Sequence, residues 1–236
     1  MDERVAPMSI ELSVVIPAYL EEENLRILLP RLKQTLQSLV KSYEILILDT
    51  VKPMDHTKQV CEEQGVNYLA RTPTNSFGSA VRTGLNTAKG EYILFMDADG
   101  SHTPEFIKEL YAFHLDYDVV IGSRYTEGGT TENTPLLIWM SRVLNLSYSL
   151  VLGLNCRDVS NSFKLYKAET IKGLTLKCDH FDIVEELLFK ANRRKKLRIK
   201  EVPFTFKKRM FGESKRNLFL FILTYIYTLI KLRFMK

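Results

Sequence analysis

Through the first half of the chain, short unbroken apolar runs alternate with stretches in which apolar residues return every three or four positions. "LSVVIPA" (12–18), "YEILILD" (43–49), "VNYLAR" (66–71), "EYILFMD" (91–97) and "DYDVVIGSRY" (116–125) are rich in β-branched and aromatic residues and read as strands. Between them, "EENLRILLPRLKQTLQSLV" (22–40, with Pro30 inside), "HTKQVCEEQG" (stopped by Gly65), "FGSAVRTGLNTAKG" (closing at Gly90) and "TPEFIKELYAFH" (Pro104 at its start) read as helices. Strands without polar alternation, separated by helices, predict an α/β fold with a mostly parallel sheet covered on both faces. Ligands of such sheets bind beyond the carboxyl ends of the strands, and Asp49, Asp97 and Asp99 all fall there.

After Arg124 the rhythm changes. "TEGGTTENTP" is polar and glycine-bearing and predicts a mobile loop. "PLLIWMSRVLNLSYSLVLGL" is apolar nearly all round except for Arg142, and "RIKEVPFTF" is strand-like. A last uncharged run of thirteen residues, Leu218 to Ile230, is shorter than the about 20 that a membrane-crossing helix needs. It suits a helix lying in a membrane interface with Lys231 and Arg233 as anchors, or one packed on the domain's own core.

Composition changes this picture little. The chain has 236 residues, 45% hydrophobic and 26% charged, which suits a globular domain with an appendage. Cys61, Cys156 and Cys178 lie far apart without a metal-binding spacing, which fits a reducing compartment, and the N-terminal stretch does not read as a signal peptide. Charge matters more. Between Lys190 and Arg216 twelve bases face two acids, a bias that fits either a solvated face or an anionic partner. Nucleic acid is a poor match for that partner, because no DNA- or RNA-binding motif is present and Asp97 and Asp99 would be left without a role.

Those two aspartates, in "FMDADGS", pose the chemical question. Neighbouring carboxylates repel, so their pairing at a strand's end makes sense around a divalent cation. Two hard oxygen ligands suit Mg²⁺ or Mn²⁺, which share their coordination with substrate phosphates. His102, three residues beyond Asp99, is expected at the surface of a helix N-terminus.

"SVVIPAYLEEENL", "YEILILD", "GEYILFMDADGSHTPEF", "VIGSRY", "RDVSNSFKLYK" and "EVPFTFKKRMFGESK" occur in order from about Leu12 to Lys215. Together they resemble the inverting GT-A glycosyltransferases, and most closely the dolichol- or polyprenol-phosphate mannose synthases. The resemblance implies a Rossmann-like GT-A domain over 1–216, with a nucleotide half to about 124 and an acceptor half from 125, followed by an interfacial helix over 217–236. It implies that Pro17, Tyr19, Glu21, Asp49, Asp97, Ala98 and Asp99 line the nucleotide site. Asp97, Asp99 and Ser101 would attend Mg²⁺ or Mn²⁺, with Asp99 the more direct ligand. Arg124, Ser141, Arg142, Arg209 and Lys215 match positions that hold diphosphate or acceptor phosphate; Asp97, Asp99, Arg124 and Arg209 are the catalytic set.

The implied reaction moves a hexose, mannose from GDP-mannose first, from a nucleotide sugar to a polyprenyl phosphate. It would run at the cytoplasmic face of a membrane, on a peripheral protein to which a membrane-anchoring subunit can be added. UDP-glucose, UDP-N-acetylhexosamine or a saccharide hydroxyl acceptor are alternatives, and a hydroxyl would need a base such as Glu185 or Glu186. A non-catalytic partner subunit keeping the fold is the alternative of another class. Departures from the family pattern cluster near the expected sites: Leu20 for the asparagine of "YNE", Thr50 for a second aspartate, Ser76 for a glycine, Leu137 for a base, and "SNSF" for "TSGF".

Overall fold

The computed structural model describes residues 9–211 and 218–234, with side chains of the last helix described from 224 onward. Lys215 therefore lies outside the described residues. In chain order the elements are β1 (Leu12–Pro17), α1 (Glu22–Gln37), β2 (Tyr43–Asp49), α2 (Thr57–Gln64), β3 (Asn67–Ala70), α3 (Phe77–Thr87) and β4 (Tyr92–Phe95). A 3₁₀ turn (Pro104–Phe106) leads into α4 (Ile107–Tyr111), followed by β5 (Val119–Ser123), β6 (Thr130–Thr131), α5 (Pro135–Leu152) and β7 (Lys164–Lys167). Then come α6 (Ala168–Ile171), α7 (Ile183–Arg194), β8 (Ile199–Pro203), β9 (Thr205–Phe206) and α8 (Leu218–Phe234).

Seven strands form one sheet in the order β3-β2-β1-β4-β7-β5-β8, with β7 antiparallel to both neighbours and the remaining pairs parallel. The predicted mostly parallel α/β sheet is thus the observed one, and strands from both sides of residue 124 share it. Alternation along β1 explains the double coverage. Val14 and Ile16 join the cluster under α1, whereas Val15 points into the cluster under α3 and α7. On α1, Leu25, Leu28, Leu29, Leu32 and Leu36 are buried at helical spacing, each contributing roughly 1.5–3 kcal/mol, while Pro30 sits on the exposed face. Strand order reverses around β1, which pairs with β2 on one side and β4 on the other. Pro17, Asp49 and Asp97 meet at the carboxyl edge of that switch.

Two predictions need revision. β7 escaped the hydrophobic pattern because its sequence, "KLYK", carries a lysine at each end; the buried Lys164 ammonium is satisfied by the carbonyls of Val159 (2.8 Å) and Asn161. The loop expected to be mobile contains β6, paired in parallel with β9, and Thr130 N–H donates to the Phe204 carbonyl at 2.9 Å. Isolated threonines carry no periodicity that would reveal a two-residue strand.

α8 packs on the domain. Tyr148 Oη donates to the Tyr225 carbonyl (2.7 Å), Thr228 Oγ1 donates to Asp182 Oδ2 (2.5 Å), and Leu232 is fully buried. Ile226, Tyr227, Ile230 and Phe234 on α8 are exposed, as are Leu136, Trp139, Leu146 and Leu150 on α5, the helix α8 packs against. α5 is also the one described helix long and apolar enough to cross a membrane, and little of it is buried.

Candidate active site

The turn after β4 is built by short-range polar contacts. Asp99 Oδ1 accepts from the Ser101 amide (3.0 Å) and the Ser101 hydroxyl (2.6 Å), so Ser101 orients the carboxylate from behind. Gly100 has φ +81°, and a Cβ there would collide with Met210 at 2.6 Å. The left-handed backbone is what calls for glycine, since the Met210 side chain is flexible enough to move aside. His102, expected at the surface, is instead fully buried. Its Nδ1 accepts from the Asp97 amide (2.9 Å), its Nε2 faces Asn161 Oδ1 (3.1 Å), and burial pushes its pKa down. Its sequence neighbourhood is polar, which is why the pattern concealed it.

The segment after β9 lies across this turn. Lys207 N–H donates to the Ser101 carbonyl (3.2 Å) and Met210 N–H to the Asp99 carbonyl (2.9 Å). Arg209 reaches into the site, 3.1 Å from Glu21 Oε1 and 3.7 Å from Asp99 Oδ2. Glu21 itself is nearly buried, takes a 2.5 Å hydrogen bond from Asn24, and has its pKa pushed up to about 7 by burial, with Asp97 and Asp99 adding to the rise and Arg209 opposing it. Glu21, Asp97, Asp99 and Arg209, widely separated in sequence, therefore form one electrostatic unit.

On the nucleotide side, Asp49 is buried at the end of β2, where Tyr68 Oη donates to its Oδ2 (3.0 Å); burial raises its pKa. Tyr19 is exposed at the rim and Ala98 is buried in the turn. Thr50, in place of a second acid, donates to the Lys52 carbonyl (2.6 Å), and Ser76 caps α3 by accepting from the Ser79 amide (3.0 Å). Arg71 escaped sequence reasoning. Its buried guanidinium donates to the carbonyls of Ala18, Leu48 (2.9 Å) and Asp49 (3.0 Å), clamping the ends of β1 and β2 at the edge of this pocket. A single arginine closing a strand offers no distinguishing signal.

The acceptor-side residues are placed differently from one another. Arg124 is forked onto fully buried Asp158, Nε to Oδ2 at 2.8 Å and Nη2 to Oδ1 at 2.7 Å, with Ser160 accepting a further bond at 2.9 Å. Asp158 accordingly has its pKa lowered despite burial, because Arg124 outweighs the desolvation. Ser141 lies on α5, where Asn145 Nδ2 donates to its carbonyl (2.8 Å) and Oγ (3.3 Å). Arg142 stands over the Tyr125 ring at 5.6 Å and has no carboxylate at ion-pair distance among the described residues. Much of the basic segment is locally engaged: Lys190 pairs with Glu186 (2.6 Å), Lys195 with Glu169 (2.7 Å) and Arg198 with Asp118 (3.2 Å), while Arg194 donates to the carbonyls of Lys172 and Glu169.

Glu185 and Glu186, the positions considered for a base, are both fully buried. Glu186 accepts from the amides of Lys177 and Cys178 as well as from Lys190, and Glu185 has its pKa pushed up to about 8 by burial. Neither is open to an incoming hydroxyl.

Asp97 and Asp99 supply hard oxygen donors, and no group of three or more such ligands occurs among the described residues. The set fits a cation that completes its shell with phosphate and water, as Mg²⁺ and Mn²⁺ do. Arg209 already brings positive charge to Asp99, which is the electrostatic demand such an ion would meet.

Three comparisons bear on this arrangement. The sequence profile described as "Glycosyl transferase family 2" matches residues 13–174. The dolichol-phosphate mannosyltransferase of Pyrococcus furiosus is 36% identical over 232 residues, covering 94% of this chain and 64% of its own, so the chain spans just under two thirds of that relative. The undecaprenyl-phosphate mannosyltransferase of Micrococcus luteus is 33% identical over 218 residues, covering 86% of each chain. Among solved structures, glucosyl-3-phosphoglycerate synthase from Mycobacterium tuberculosis, crystallised with Mn²⁺, UDP and phosphoglyceric acid, superimposes with a TM-score of 0.74 over 96% of this chain and 80% of its own. At 19% identity that last likeness speaks for the GT-A fold alone.

Proposed function

Since the chain belongs to glycosyl transferase family 2, we propose that it is a metal-dependent inverting glycosyltransferase that moves a hexose, mannose from GDP-mannose in the first instance, onto a polyprenyl or dolichyl phosphate. The observation that carries the reading is the convergence of Glu21, Asp97, Asp99 and Arg209 at the carboxyl edge of the sheet. The mannosyl and polyprenyl assignments rest on the names of the two sequence relatives.

In the reaction, an oxygen of the acceptor phosphate attacks the anomeric carbon and the bond to the nucleoside diphosphate breaks on the opposite face. Asp99, oriented by Ser101, and Asp97 would hold Mg²⁺ or Mn²⁺, which supplies positive charge to the leaving diphosphate. Arg209 sits where it can turn from Asp99 toward that diphosphate. A phosphate monoester is anionic near neutral pH and needs no proton removed, which agrees with the burial of Glu185 and Glu186. Arg142 would receive it, with Lys215 as a further candidate. The charge of Arg124 is balanced by Asp158, so its part in phosphate binding would be to shape the floor of the acceptor side.

The exposed apolar faces of α5 and α8 support a location on a membrane surface, where a lipid acceptor would enter from the bilayer; the cytoplasmic face is part of the proposal. A membrane-anchoring subunit is compatible with the same surface. The test is a panel of GDP-mannose, UDP-glucose and UDP-N-acetylhexosamine with Mn²⁺ or Mg²⁺, with and without polyprenyl phosphate, scored for released nucleoside diphosphate. Metal- and lipid-phosphate-dependent release from GDP-mannose supports the full reading. Release from a UDP sugar would move the donor assignment; no release from any donor would support a non-catalytic subunit.

A further inference from the structure

Asp97 is held from both ends by residues that belong to neither the nucleotide motif nor the basic segment. β4 ends at Phe95, and Met96 makes the last backbone bond to β1, donating to the Val15 carbonyl at 3.1 Å. The next amide, that of Asp97, has no strand to pair with and donates to His102 Nδ1 instead. Because Nδ1 accepts, the ring proton sits on Nε2 and is donated to Asn161 Oδ1. The orientation of that amide is fixed in turn, since Asn161 Nδ2 donates to the Gly122 carbonyl at 2.5 Å. The imidazole cannot swing. It stacks on Phe163 with 4.5 Å between centroids and 11° between planes, and Phe204 and Phe206 meet it edge-on at 5.7 Å. At the other end, Ser162 Oγ donates to Asp97 Oδ1 at 2.9 Å.

Asn161 and Ser162 are the two central residues of "SNSF", where the family pattern carries serine and glycine. That pattern offers no side-chain amide at the first place and no hydroxyl at the second, where this chain has Asn161 and Ser162. They also make the two aspartates unequal. The Asp97 carboxylate takes a neutral hydroxyl from Ser162 on the approach to β7, whereas Asp99 Oδ2 is turned toward the cation Arg209.

We infer that His102, Asn161 and Ser162 form a bracket that fixes the peptide and carboxylate of Asp97 before any ligand arrives, so that it stands in place beside Asp99 for the ion. They are positioning residues, and the inference rests on the metal-dependent reading above. An unpaired Asp97 amide would let the turn relax and would take away one of the two carboxylates in place for the ion.

The side chains that dissect the bracket are available. In His102→Asn the amide oxygen replaces Nδ1 and keeps the bond to Asp97. In His102→Gln the amide nitrogen replaces Nε2 and keeps only the bond to Asn161; His102→Phe keeps the stack and loses both. Two readouts apply: exchange of the Asp97 amide in metal-free protein, and Mn²⁺ affinity by electron paramagnetic resonance with saturating GDP in one arm and UDP in another. His102→Gln and His102→Phe should expose the Asp97 amide and weaken Mn²⁺ by about tenfold, with His102→Asn within about threefold of wild type. Ser162→Ala should leave the amide protected and weaken Mn²⁺ by about threefold. Equal amide protection and equal Mn²⁺ affinity in His102→Asn and His102→Gln would overturn the bracket. Wild-type protein that binds no Mn²⁺ in either arm would overturn the metal reading beneath it, and that failure is seen before any variant is made.

Discussion

The D-x-D turn and the Arg124–Asp158 pair are built from the same kinds of charge and dispose of them in opposite ways. Asp158 is fully buried and Arg124 nearly so, and each carboxylate oxygen of Asp158 meets a guanidinium nitrogen. At the turn, Glu21 and Asp99 share the guanidinium of Arg209, at 3.1 and 3.7 Å, and Asp97 has no guanidinium at ion-pair distance among the described residues. The matched pair is a structural brace: removing either partner leaves a buried charge stranded. The mismatched cluster is poised for an added cation, and the raised pKa of Glu21, set first by burial, is pushed further up by Asp99 and Asp97. Charge of one sign left in excess at the edge of the switch point, rather than the presence of charged residues as such, separates the ligand site from the scaffold.

That contrast can be broken at several points. The largest effect belongs to Asp99→Asn, which should lower kcat/KM for sugar transfer about 1000-fold, roughly 4 kcal/mol in the barrier, with the melting temperature nearly unchanged. Arginine replacements then separate brace from site. Arg124→Met should cost roughly 3 kcal/mol of unfolding free energy in a denaturant titration, because Asp158 stays buried without its partner. Arg209→Met should leave the unfolding midpoint close to wild type and act on transfer instead.

A pH series sharpens the comparison further. Glu21 binds its proton more tightly in the folded protein, its pKa raised from 4.5 to about 7, so the protonated form favours folding. As pH rises from about 4.5 to about 7, wild type should lose roughly 3 kcal/mol of stability relative to Glu21→Gln, whose side chain cannot ionise. Denaturant midpoints of the two proteins across that window check the sign. The smallest effect lies beside it. Leu20 has φ +56°, a left-handed conformation that suits asparagine better than leucine, so Leu20→Asn should raise stability by about 1 kcal/mol.

How much of this was legible in the sequence follows from which interactions leave a local trace. The parallel strands and their helices announce themselves because burial on both faces demands long apolar runs, and the pairing of Asp97 with Asp99 is local too. β7 was hidden because its buried lysine is satisfied by backbone carbonyls, and β6 because two threonines carry no period. His102 read as a surface residue although its partners, Asn161 and Phe163, lie about sixty residues away. Arg124 and Arg209 look alike in sequence, and only the fold shows that one is neutralised by Asp158 while the other spans two acids. Long-range partners decide a charged residue's role, and a single chain read along its length does not display them.

The most direct test of the central claim is a crystal of the protein grown with Mn²⁺ and a nucleoside diphosphate, read for its anomalous manganese signal. The account predicts one peak at bonding distance from Asp99, shared with the diphosphate, and Arg209 drawn away from Asp99 onto phosphate oxygens. A bound nucleotide with no manganese at Asp97 or Asp99, and Arg209 still paired to Glu21 and Asp99, would contradict it.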